Sequence, residues 1–152
     1  MQAWLSCAKC WRDGTSRPMA SDLETFPVRN GEDVVRARQI VRSRAMDVGF
    51  TLVEQTKIVT AASELARNTV IYGGGGEMHV ERVYGGPKRN GLRLTFEDKG
   101  PGIADIDLAL RDGFTTGNGL GLGLNGARKL SHEFDIWSKP GEGTRVTITR
   151  WK

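Results

Sequence analysis

Glycine constrains this chain more than any other residue. Twenty of the 152 residues are glycine, about twice the usual share. They gather in three places: Gly73 to Gly76, Gly100 to Gly102 and Gly117 to Gly126. A residue without Cβ can take left-handed turns or let the backbone lie directly against a neighbour or a ligand. Three such places in one short chain predict loops that turn tightly around something or close over it. The length suits one domain that buries most of its apolar surface, so these loops belong to a single core.

Apolar periodicity places the elements between the glycines. Leu23 to Val28 reads as a first strand, at a sheet edge because Pro27 has no N–H to give a ladder. Asn30 can cap a helix over residues 31–48, with Val34, Ala37, Val41, Ala45 and Val48 on one face and Arg36, Arg38, Arg42 and Arg44 elsewhere. Gly49 stops it. Thr51 with Glu54 forms a capping box for a second helix, whose apolar face is Val53, Ile58, Ala61, Ala62 and Leu65 and which runs to about Tyr72. Met78 to Tyr84 and Leu92 to Glu97 alternate as a hairpin. Ile106 to Arg111 and Leu122 to Glu133 read as helices, and Phe134 to Ser138 with Thr144 to Trp151 as a second hairpin. The expected architecture is α+β: a two-layer sandwich of one mixed, mostly antiparallel sheet with helices on one face.

The remaining composition narrows the function classes. A net charge of +4 is spread along the chain, which suits an anionic small ligand or an acidic protein partner and gives no basic patch for nucleic acid. No run of eighteen apolar residues and no leader-like N-terminus is present, so a cytoplasmic protein without a membrane span is expected. Cys7 and Cys10 make a lone CxxC. A structural zinc needs four ligands and the two histidines, His79 and His132, stand far away and apart, so the pair is read as reduced and without function. Residues 1–20 are expected to be a disordered extension, with one domain over residues 21–152.

Three short motifs carry candidate chemistry. Glu64 and Asn68, four apart on the second helix, point to one side about a turn from each other. Phe96-Glu97-Asp98-Lys99-Gly100-Pro101-Gly102 sets a carboxylate at the exit of a buried strand. That carboxylate can accept from an exocyclic amine, while Gly100 and Gly102 let a flat ring approach the backbone. Gly117-Asn118-Gly119-Leu120-Gly121-Leu122-Gly123-Leu124 runs into a helix, and successive N–H groups at a helix start favour a polyphosphate. Taken singly, each has a bland reading: a solvated glutamate, an asparagine near a helix end, a turn aspartate, a flexible loop. Lys99 and Arg128 read first as exposed basic residues.

In this order and at these distances the three motifs resemble the GHKL ATPases, over about residues 22 to 151. ExxxN at Glu64 to Asn68, DxGxG at Asp98 to Gly102 and GxGxG at Gly119 to Gly123 match the family's boxes, and Gly143-Thr144 matches its last nucleotide contact. The resemblance implies the Bergerat-type ATP-binding fold, with ATP and Mg2+ as cofactors. It implies that Asn68 holds the metal and that Glu64 takes a proton from an incoming hydroxyl. It further implies that Asp98, Gly100 and Gly102 receive adenine, that Gly119, Leu120, Gly121, Leu122 and Gly123 form a lid on the phosphates, and that Thr144 supports Asp98 or a bound water. The stretches from Asp98 to Ile106, Ala109 to Phe114 and Gly119 to Arg128 look most like the RsbT-type switch kinases of stress-response modules. Such kinases phosphorylate serine or threonine on STAS-domain scaffold and antagonist proteins and then activate a phosphatase, here expected to be of PP2C type. Asn125 departs from the proline expected there. An anti-sigma factor of SpoIIAB or RsbW type, holding a sigma factor and using the same nucleotide site, is the alternative reading, and the oligomeric state stays open.

Overall fold

The computed structural model describes residues 23–110 and 123–152. Strand β1 (Leu23–Val28) leads into helices α1 (Gly31–Val48) and α2 (Leu52–Ile71), then strands β2 (Gly76–Tyr84) and β3 (Asn90–Asp98). A single helical turn α3 (Ile106–Ala109), helix α4 (Gly123–Lys129) and strands β4 (Glu133–Lys139) and β5 (Gly143–Trp151) complete the order. The caps form as the residue types predict. Asn30 Oδ1 accepts the Asp33 N–H at 2.9 Å, Thr51 and Glu54 make both bonds of the capping box, and Gly49 closes α1 with a φ of 92°.

The strands lie in the order β1-β2-β3-β5-β4. The expected mostly antiparallel sheet is antiparallel in all four of its pairings, and β1 with its Pro27 does sit at an edge. One face of the sheet is apolar and lies under the helices. Met78, Val80, Leu94, Phe96 and Ile148 are buried there against Val41, Ala45, Ile58, Ala62 and Leu65. The alternate residues form the other face, where His79, Thr95, Glu97 and Thr147 bond to one another or to neighbours across the strands.

Three local expectations change. Val53, assigned to the apolar face of α2, is 63% exposed, because it belongs to the first turn, ahead of the first buried position at Ile58. The last helix stops at Lys129 instead of Glu133. There Ser131 N–H donates to Arg128 O, a tight closing turn, and His132 N–H already donates to Thr149 O of the sheet, so Glu133 pairs with Thr149 in β4. The helix expected over 106–111 is the four-residue α3, capped by Asp105 accepting from Leu108 N–H, and Arg111 lies outside the described residues. No helix among the described residues is long and apolar enough to cross a membrane.

Candidate functional site

The C-terminal end of α2 and the adjoining ends of β3 and β5 meet at one end of the sheet. Helix α2 closes when Tyr72 N–H and Gly73 N–H both donate to Asn68 O, at 2.9 and 3.2 Å. The chain then turns through Gly74 and Gly75, both at positive φ (72° and 100°), a conformation that glycine takes without steric cost. This turn lays Gly73 on Asp98, the last residue of β3. A Cβ on Gly73 would stand 2.5 Å from Asp98 Oδ2 and overlap Cγ outright, and one on Gly100 would stand 2.7 Å from Gly73 Cα. The glycines therefore make a backbone-walled cradle around one carboxylate.

That carboxylate is held from both sides. Asp98 Oδ1 accepts the Gly100 N–H at 2.9 Å, and the N–H of Thr144, its partner across the β3–β5 ladder, also donates to it. Burial pushes the Asp98 carboxyl above the usual aspartate range, and the two N–H donors pull partly the other way. A partly desolvated acceptor at the mouth of a glycine cradle suits a ring that carries an N–H donor.

A second layer fixes the loop behind Asp98. Ser138 Oγ accepts the Ile103 N–H at 2.7 Å, donates to Gly143 O at 3.1 Å and lies 2.8 Å from Thr144 Oγ1. Gly141 N–H donates to Pro101 O at 2.8 Å. Gly102, at a φ of 77°, faces Lys139 O so closely that a Cβ would overlap it. The loop carrying Gly100 and Gly102 is thus tied to the β4–β5 hairpin.

The structure brings Asp98, Gly100 and Thr144 into direct contact, reaches Gly102 through the hairpin, and joins Asn68 through its carbonyl to Gly73. Glu64 lies one turn further back on α2. It is buried, at 5% exposure, with the Arg67 guanidinium 3.9 Å away, so it is no solvated surface charge. Asn68 is half-buried. Gly123 opens α4, which packs along α2. Gly119, Leu120, Gly121 and Leu122 lie outside the described residues. Asn125, in place of the expected proline, is buried and accepts from Arg128 Nη2 at 3.0 Å. Lys99 and Arg128 are exposed.

Two residues of this site were not singled out from sequence. Gly73 is one of four successive glycines, and its contact with Asp98 depends on how α2 packs on β3. Ser138 carries no motif. Its pairing with Thr144 follows from the β4–β5 register, so a hairpin centred on Pro140 to Glu142 would have pointed to it.

Comparison with known proteins agrees with this geometry. The family model described as histidine kinase-, DNA gyrase B- and HSP90-like ATPase matches residues 53–152, from the start of α2 to the chain end. The chain is 46% identical over 119 residues to the serine/threonine-protein kinase RsbT of Bacillus subtilis, spanning 78% of this chain and 89% of that one. It is 30% identical over 118 residues to an anti-sigma F factor of Thermoanaerobacter, spanning 76% and 82%. A mycobacterial sensor histidine kinase, MprB, shares the fold with a TM-score of 0.51 at 20% identity, over 84% of this chain and 96% of that one.

Proposed function

The chain belongs to the histidine kinase-, DNA gyrase B- and HSP90-like ATPases, and on that premise we propose that it is an ATP-dependent serine/threonine protein kinase. Its substrate would be a STAS-domain partner in a stress-response partner-switching module, with a PP2C-type phosphatase as the second partner, and its place the cytoplasm. The observation that carries the nucleotide site is Asp98, a desolvated carboxylate gripped by two backbone N–H groups against a glycine wall that any Cβ would fill. Kinase activity is supported by the 46% identity to RsbT over most of both chains. The anti-sigma relatives, at 30% identity, keep the sigma-factor reading as the alternative.

In this reading Asp98 accepts from the adenine amino group, Gly73, Gly100 and Gly102 let the ring lie on backbone, and Thr144 with Ser138 holds the carboxylate and its loop in place. Asn68 would hold Mg2+. Magnesium keeps several waters and takes few protein ligands beside phosphate oxygens, so one amide oxygen at the end of α2 fits its needs. ATP with Mg2+ supplies the γ-phosphoryl group and neutralises its charge; the protein's work in such transfers is mainly positioning and electrostatic. Glu64, buried one turn behind Asn68, would accept the hydroxyl proton of the incoming serine or threonine. Gly119 to Gly123 would cover the phosphates with backbone N–H groups.

The test is phosphotransfer. The protein is incubated with γ-labelled ATP, Mg2+ and a STAS-domain protein encoded beside it, and the labelled residue is mapped by mass spectrometry. Label on a serine or threonine of that partner supports the kinase. Absence of transfer together with stable capture of a sigma factor would replace it with the anti-sigma reading.

A further inference from the structure

Strands β1 and β4 are the two edges of the sheet, and they differ. A bare edge presents unpaired N–H and C=O groups to any other strand, and proteins usually blunt it with a proline, a bulge or a cover. β1 carries Pro27, and its Glu24 accepts from Arg44 of α1 at 2.6 Å. β4 (EFDIWSK) has no proline, and it pairs residue for residue with β5 from Glu133 to Lys139, without a bulge. Among the described residues, β5 alone bonds to the backbone of residues 134–138. Phe134 and Ile136 pack on the core from this edge and stay half-buried. Glu133, Asp135, Trp137 and Lys139 alternate with them and are exposed. Trp137 is 44% exposed, with the Arg145 guanidinium 5.7 Å from its ring centre.

The order of residues in β4 decides what fits this edge. Charges can guard an edge too, unless a register sets opposite signs together. Turned about a two-fold axis through Ile136 and laid antiparallel on itself, β4 sets Glu133 opposite Lys139 at both ends. Phe134 then faces Ser138, Asp135 faces Trp137, and Ile136 faces its own copy. Opposite residues of an antiparallel pair share a face, so half-buried residues meet half-buried ones and the apolar face of the sheet continues unbroken. Other registers are poorer. Centring on Asp135 puts that carboxylate against itself, and centring on Trp137 leaves Glu133 and Phe134 unpaired. A slip by one residue sets the apolar face of one copy against the open face of the other.

The charged ends are available for such pairing. Glu133 accepts the Trp151 Nε1–H on Oε2 and keeps Oε1. Lys139 lies 3.0 Å from Glu142, but both side chains are more than half exposed, and surface pairs of that kind contribute little. We infer that β4 is an interface on which a second copy of this chain docks, antiparallel and centred on Ile136, joining two sheets into one. The Glu133–Lys139 pair then occurs twice, as every contact of a two-fold interface does. One strand edge per copy is small beside a standard protein–protein interface, so the association is reversible and depends on concentration. The inference is independent of what Asp98 binds.

Sedimentation equilibrium of the full chain should show monomers and dimers exchanging as concentration rises. Glu133→Lys and Lys139→Glu each set like charges opposite each other twice, and each should weaken dimerisation about tenfold or more. The double variant restores opposite signs and should recover the dimer. That recovery separates strand pairing from damage to the fold, because a misfolded edge would not be rescued by a second substitution. Ile136→Cys, in a chain carrying Cys7→Ser and Cys10→Ser, places two thiols on residues about 4.5–5.5 Å apart at Cα, within disulfide reach. Mild oxidation should then give a covalent dimer. Phe134→Cys in the same chain is the control: its two copies are offset by four residues, about 14 Å along the strands, and should stay uncoupled. A chain that is monomeric at every concentration, a double variant no better than the single ones, or crosslinking at position 134 as ready as at 136 would overturn the inference.

Discussion

Gly73→Ala tests whether the glycine cradle is a binding surface or a mere turn. The added methyl would lie 2.5 Å from Asp98 Oδ2 and overlap Cγ, well inside van der Waals contact. Asp98 is too short to swing away cheaply, since its carboxylate is held by the N–H groups of Gly100 and Thr144. Relief therefore means losing one or both of those charged bonds and tilting the acceptor out of place. A hydrogen bond to a charged group contributes about 1.5–3 kcal/mol, so ATP affinity should fall roughly ten- to a hundredfold. The neighbouring Gly74 supplies the control. A Cβ there meets nothing within 4 Å, but its φ is 72°, so Gly74→Ala should cost about 1–2 kcal/mol of stability as left-handed strain and leave ATP affinity nearly intact. Isothermal calorimetry for affinity and thermal melts for stability separate the two. If Gly73→Ala binds ATP as the unaltered protein does, or if both variants lose affinity equally, the cradle does not hold the nucleotide.

Asp98→Asn should weaken ATP binding at neutral pH by about ten- to a hundredfold, measured by calorimetry. The raised carboxyl pKa sets the sign of two pH effects: the native state binds this proton more tightly than the unfolded chain, so stability is present at low pH and is lost as pH rises through the folded value. ATP affinity of the unaltered protein should run oppositely, falling as pH drops through that same raised value, and the stability step should be missing from melts of Asp98→Asn. Asn68→Ala should abolish phosphotransfer in Mg2+ while shifting the melting temperature little, because the bonds that close α2 use the Asn68 backbone carbonyl; retained transfer would remove Asn68 from the metal site. Ser138→Ala leaves the Ile103 N–H without its partner and should destabilise by about 1–3 kcal/mol, several degrees in a melt, with a smaller loss of ATP affinity than Asp98→Asn.

The sequence by itself determined whatever depends on short-range physics. Caps at Asn30, Thr51 and Gly49 act within one turn, apolar periods mark α1 and α2, and Pro27 bars β1 from the sheet interior, so the order of elements could be read without knowing their packing. The order and spacing of Glu64, Asn68, Asp98 and the glycines also pointed to the family whose model matches residues 53–152. Only tertiary structure decided what depends on register and approach. The closing turn after Lys129 gives way to β4 because His132 finds a carbonyl on β5, a partner seventeen residues away. Glu64 is buried by packing that nothing in its local sequence announces. Gly73 lies on Asp98 and Ser138 on Thr144 because strands and helices distant along the chain are brought within a few ångströms. Hydrogen-bond satisfaction and close contact are properties of pairs in space, and a linear sequence specifies such pairs only through the fold.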